Sequence, residues 1–221
     1  MKPKPLAEKI HKRLLDFYGP PDWRPHLSPV AELVSTILSQ NTNDTNRDRA
    51  FNNLRKRFST WEEVRDAPAE DIIQAIKTAG LANQKGPRIK QALQKITDRE
   101  DDISLDFLKS MGVEKAKKWL TDIKGVGPKT AAIVLLFALE MPAFPVDTHV
   151  HRVTGRVGLR PSNMNASKSH SFLEKVFSPD EYYAAHLNLI KLGREICKSR
   201  KPECPVCPLN DFCSYYQEKV E

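Results

Sequence analysis

An all-α protein is what this sequence predicts, and three observations carry the prediction. Apolar residues recur at helical spacing through most of the 221 residues, as in Leu6, Ile10, Leu14 and Phe17, and again in Val30, Leu33, Val34, Ile37 and Leu38. No segment alternates apolar and polar residues as a half-buried strand would. Start and stop signals punctuate the chain. Ser28-Pro29 and Ser178-Pro179 set a capping hydroxyl before a proline suited to a first helical turn, and Gly80, Gly112 and Gly158 follow expected helix ends.

Taken in order, these signals predict helices over 5–18, 29–39, 44–58, 60–66, 69–78, 84–97, 104–110, 113–122, 128–139, 147–158, 167–176 and 179–196. Connections are short, and no solenoid-length repeat or low-complexity tract interrupts them, so the helices should pack compactly. The proline-containing stretches Gly19–Pro29 and Met141–Pro145 are the natural crossings between two lobes. One lobe is then residues 24–141, and the other combines 1–23 with 142–221.

Lysine plus arginine outnumber aspartate plus glutamate by 35 to 28, a net charge of +7 that makes a polyanion a plausible partner. The same charges, spread over helical faces, also suit an ordinary solvated surface. Met1 to Pro20 mixes charged and apolar residues and does not read as a signal peptide, and no later run reaches membrane-spanning length. The expectation is a soluble intracellular protein with no membrane partner.

All four cysteines lie between Cys197 and Cys213, spaced Cys197-x6-Cys204-x2-Cys207-x5-Cys213. Four thiolates around one centre suit zinc or a cubic iron–sulfur cluster, and two disulfides are the third arrangement. Intracellular thiols are kept reduced, which disfavours disulfides. Zinc sites usually pair two short knuckles, whereas only one gap here is short, so the wide and unequal spacing favours a cluster.

Two further stretches carry chemistry. Ile123-Lys-Gly-Val-Gly-Pro-Lys-Thr130 lies between two expected helices; its glycines permit a tight turn, Pro128 suits a first helical turn, and free amides there can bind a phosphate oxygen. Lys129 stands at the positive end of the second helix, where the dipole and partial burial favour the free amine, a nucleophile. Pro145-Val-Asp-Thr-His-Val-His-Arg152 follows. Asp147 begins the next helix as an N-cap and could also stabilise developing positive charge. His149 and His151, two apart, face different sides and point to local hydrogen bonds or DNA contact rather than a metal.

Together the cysteine spacing, the lysine hairpin and Val-Asp-Thr-His resemble the endonuclease III family of DNA glycosylases, in type, order and separation from Leu6 to Cys213. The resemblance implies two helical lobes flanking a DNA-binding cleft, a helix-hairpin-helix motif and a C-terminal [4Fe–4S] loop on Cys197, Cys204, Cys207 and Cys213. It implies catalysis by Lys129 and Asp147: lysine attack at C1′, a Schiff base, then β-elimination, in a bifunctional base-excision-repair glycosylase and abasic-site lyase. Gly125, Gly127 and Lys129 would grip backbone phosphate, with His149 and the basic-loop residues Arg200 and Lys201 as further DNA contacts. A monovalent cation, Na⁺ or K⁺, would sit on the carbonyls of Thr121, Ile123 and Val126. Two loops would fill the space of a flipped nucleotide: Ser39–Asp44, offering Gln40 or Asn41, and Gly80–Lys85, with Leu81 as an apolar wedge.

The partner implied is double-stranded DNA with a damaged base or abasic site, bound by a monomer in the cytoplasm or nucleoid of a prokaryote rather than in a nucleus. Oxidised pyrimidines are the family default. Uracil or mismatched thymine is the alternative within the superfamily, and outside it stand a non-catalytic DNA-binding module and a zinc-stapled interaction protein.

Overall fold

A computed structural model describes residues 2–22 and 27–220, with side chains as far as residue 218. The expected lobe boundary at residues 23 and 24 lies outside the described residues. In chain order the helices are α1 (Pro3–Tyr18), α2 (Pro29–Ser39), α3 (Asp44–Arg57), α4 (Trp61–Asp66), α5 (Ala69–Ala75), α6 (Ala82–Glu100) and α7 (Leu108–Met111). Then follow α8 (Val113–Thr121), α9 (Pro128–Ile133), α10 (Thr148–Arg156), α11 (Ala166–Val176), α12 (Tyr182–Glu195) and α13 (Ser214–Val220). No strand occurs among the described residues, and no helix there is long and apolar enough to cross a membrane.

The chain divides into two compact units, His26–Met141 and the pair Met1–Pro25 with Pro142–Glu221. In the first, α2 is buried on nearly every face, from Val30 to Leu38 with only Glu32 partly exposed, as expected for a largely apolar helix. It packs against α3, α6, α9 and the segment after α9. Leu33, Ile37 and Leu38 meet a core that includes Ile72, Ile89, Leu93 and Leu135. Each such side chain contributes roughly 1.5–3 kcal/mol by leaving water.

In the second unit α12 packs against α1 and α10. The α1 stripe Leu6, Ile10, Leu14 is buried at the spacing the sequence shows, and Phe144 stacks on Phe177 at 5.1 Å between ring centroids.

Several elements depart from expectation. The helix expected over 69–78 stops at Ala75 and tightens into a 3₁₀ turn, Lys77–Ala79, before Gly80. The one expected over 84–97 starts at Ala82, directly after a left-handed Leu81, and runs on to Glu100 until Asp101 turns left-handed. The one expected over 104–110 shrinks to Leu108–Met111, because the Ser104 hydroxyl takes the Asp106 N–H and shapes a turn instead. After Ile133 the 128–139 helix widens into a π turn, Val134–Ala138, and Val134, Leu135, Leu136 and Phe137 are all buried there. A 3₁₀ turn opens the last long helix, with Glu181 accepting from the Ser178 N–H, and α13 was not expected. Ser28 stands at its N-cap but its hydroxyl makes no capping bond.

Candidate functional site

The hairpin joins α8 to α9. Ile123 and Val126 are buried anchors, and the Val126 N–H donates to the Ile123 carbonyl at 3.0 Å. Gly125 has φ +89°, and a Cβ there would lie 2.6 Å from Arg88 Cδ, so both backbone and space demand glycine. Gly127 is the extended N-cap, Pro128 the first helical residue and Lys129 the second. Lys129 is exposed, which corrects the partial burial expected of it: its neighbours Thr130 and Ala131 take the inward face. Thr121, Ile123 and Val126 border the turn, with the Thr121 hydroxyl donating to the Lys117 carbonyl.

Gln40 faces this hairpin rather than solvent. Its Nε2 donates to the Gly125 carbonyl at 2.9 Å, and its Oε1 accepts from Arg88 Nη1 at 3.3 Å. Asn41, next in sequence, is exposed with φ +53°. Leu81 has φ +51° and is 47% exposed, an unusual pairing of left-handed backbone and a bulky apolar side chain. Non-glycine residues in that region cluster at functional sites, and Lys201 at φ +49° is another here.

Sequence reasoning missed Lys85. Only 1% of it is exposed, and its Nζ donates to the carbonyls of Leu38 and Ala79, each at 2.8 Å. Burial pushes its pKa down, with Arg88 adding to the shift. A signal was present: Lys85 lies on the same helical stripe as the buried Ile89, Ala92, Leu93 and Ile96.

In the other unit, Asp147 caps α10, its Oδ1 accepting from the Val150 N–H at 2.8 Å. Among the described residues no hydrogen bond is made to its second oxygen, and the residue is half-buried. His149 Nδ1 lies 3.0 Å from Arg152 Nη2, and His151 Nε2 lies 3.0 Å from the Met164 carbonyl, so both imidazoles serve local hydrogen bonds. Gly193 leaves room for His149, since a Cβ would approach it to 2.8 Å. Arg152 also reaches the cysteine segment, donating to the carbonyls of Cys197 and Gly193.

Cys197, Cys204, Cys207 and Cys213 are free thiols that line one cavity together with Arg156 and Tyr215. No three of the described His, Cys, Asp or Glu side chains converge as they would on a single metal ion; the thiols border a shared space instead. Burial pushes the Cys207 thiol up to about 11, and Cys213 upward too, with the neighbouring cysteines adding to both. Four thiols gathered on one space, with Cys207 and Cys213 resisting ionisation there, fit a cationic iron–sulfur core, which would offset the thiolate charge. Arg156 assists, with Nη1 3.5 Å from Cys197 Sγ and donating to the Lys198 carbonyl. Arg200 and Lys201 are exposed on this loop.

Known proteins share this organisation. Residues 34–179 match the family model for HhH-GPD superfamily base excision DNA repair protein, and residues 197–213 match the iron–sulfur binding domain of endonuclease III. Endonuclease III of Sulfolobus acidocaldarius is 36% identical over 86% of this chain and 84% of its own length. That of Thermotoga maritima is 31% identical over 97% and 93%. Among solved structures, a trapped endonuclease III–DNA covalent intermediate superposes with a TM-score of 0.84 at 25% identity, covering all of both chains.

Proposed function

The chain belongs to the HhH-GPD superfamily of base excision DNA repair proteins and, within it, to the endonuclease III family, and from that membership we propose its residue roles and substrate. It is a DNA glycosylase and abasic-site lyase, and its substrate is an oxidised pyrimidine in duplex DNA. The observation that carries the reading is the placement of Lys129 and Asp147, each at the first turn of a helix inside the matched span.

The Lys129 amine attacks C1′ of the damaged nucleotide, and the glycosidic C1′–N bond breaks as the base leaves with the electron pair and takes up a proton. Asp147, held by its capping bond, offsets the positive charge that develops on the sugar. The sugar ring then opens to a Schiff base on Nζ. Loss of a C2′ proton expels the 3′ phosphate, and water releases the lysine.

The remaining chain serves binding. Gly125 and Gly127 leave the hairpin backbone open to a phosphate, with a monovalent cation on the carbonyls of Thr121, Ile123 and Val126. Arg200 and Lys201 add phosphate contacts that position without reading sequence. Asn41 and Leu81 enter the duplex where the nucleotide leaves it. Gln40, committed to Gly125, supports them from behind. A [4Fe–4S] cluster on the four cysteines, when bound, supplies the bonds that fold the 197–213 segment. We infer a monomer acting in a prokaryotic nucleoid.

Borohydride trapping tests this across duplexes carrying oxidised pyrimidine, uracil, mismatched thymine, oxidised guanine or methylated cytosine. The expected outcome is a cross-link strongest with oxidised pyrimidine. A wild-type protein that cross-links to none of them would overturn the lyase reading.

A further inference from the structure

Two turns of the His26–Met141 unit carry exposed left-handed residues, Asn41 and Leu81, forty positions apart in sequence but issuing from helix ends that share one side chain. Leu38 lies in the last turn of α2, where carbonyls lack an intrahelical donor, and Ala79 ends the 3₁₀ turn before Gly80. Lys85 Nζ donates to both carbonyls at 2.8 Å. Each helix end carries partial negative charge, so one cation satisfies two of them at once. Among the described residues no carboxylate pairs with this ammonium. A charge this deeply buried is costly to hold, and a purely apolar residue would fill the stripe at lower cost.

One turn further along the same helix, Arg88 holds Gln40, and Gln40 holds the Gly125 carbonyl of the hairpin. The α6 face therefore cross-links both turns and the hairpin. Resting on the glycosylase reading, we propose that Lys85 is a positioning residue which locks the Asn41 and Leu81 turns together, so that they enter a duplex as one wedge. Leu81 reaches its left-handed backbone two residues after one carbonyl that Lys85 holds, and Asn41 follows three residues after the other. Among the described residues no long-range backbone hydrogen bond ties either turn to the other.

The test uses full-length protein and a duplex with 2-aminopurine opposite a tetrahydrofuran abasic analogue, which reports unstacking without requiring catalysis. At saturating protein, wild type should raise the fluorescence, and Lys85→Met and Leu81→Ala should each lose most of that rise. The double variant should lose no more than the worse single one, as expected of residues acting through one another. Borohydride trapping of Lys85→Met on a single-stranded abasic oligonucleotide, which needs no wedge, should stay within about twofold of wild type, since the Lys85 amine bonds the Leu38 and Ala79 carbonyls and not the hairpin that carries Lys129. A full fluorescence rise in Lys85→Met overturns the proposal. So do losses that add in the double variant, or trapping that falls as far as the fluorescence. If wild type unstacks 2-aminopurine but traps nothing, the lyase reading fails and this inference stands.

Discussion

Lys129 and Asp147 occupy the same kind of place, the first turn of a short helix, and they are held there in opposite ways. Lys129 is exposed and carries no local structural duty; the turn beneath it is set by Gly125, Ile123 and Val126. Asp147 is half-buried, and one of its oxygens already caps α10. The difference teaches that a reactive group can be placed by its backbone, leaving the side chain free to move, or by its own hydrogen bond, leaving it fixed. A nucleophile that must travel to carbon suits the first arrangement. A charge that must already be in place when the transition state forms suits the second.

The sharpest way to break this contrast is Lys129→Gln. Activity and trapping should fall by at least about 10⁴-fold, the scale of deleting a nucleophile or its charged partner, while thermal stability stays unchanged. A large loss of melting temperature would mean that Lys129 is structural after all. Asp147→Asn comes next. Asparagine caps as well as aspartate, so the melting temperature should hold while single-turnover excision drops on the order of 10²–10³-fold.

Gly125→Ala probes the support rather than the reactive group. Left-handed backbone costs an alanine roughly 1–2 kcal/mol, and its Cβ must also displace Arg88, so denaturant unfolding should register a loss of at least that size. An unchanged midpoint would show that the hairpin is not what sets the Lys129 turn. The smallest effect separates cap from charge. Asp147→Ala should be less stable than Asp147→Asn by about 1 kcal/mol, read as a drop of about 2–4 °C in Tm, with the two equally impaired in excision.

Much of this was legible in the residues themselves. The helical stripes of α1 and α2, the proline and glycine punctuation around the hairpin, and the spacing of the cysteines are local patterns, and local patterns survive without coordinates. What sequence could not supply was which side chain meets which backbone. Gln40 read as a DNA contact because its loop is polar, yet its amide is committed to a carbonyl 85 residues away. Lys85 was lost among many lysines because its acceptors come from two different helix ends. The burial expected at Lys129 was inferred from its place at a helix start, but orientation around the helix axis decides burial, and Thr130 and Ala131 took the inward side. The widened turn at Val134–Ala138 has no signature in a run of apolar residues that fits an ordinary helix equally well.

Leu81 sets a limit on how this protein can be improved. Glycine at that position would relieve the left-handed backbone and remove an apolar side chain from water, so a search for hardier variants should find it early. The same change deletes the atoms proposed to occupy the gap in the duplex. Selection for heat resistance and selection for repair would therefore pull this one residue in opposite directions, and leucine there marks which of the two has prevailed.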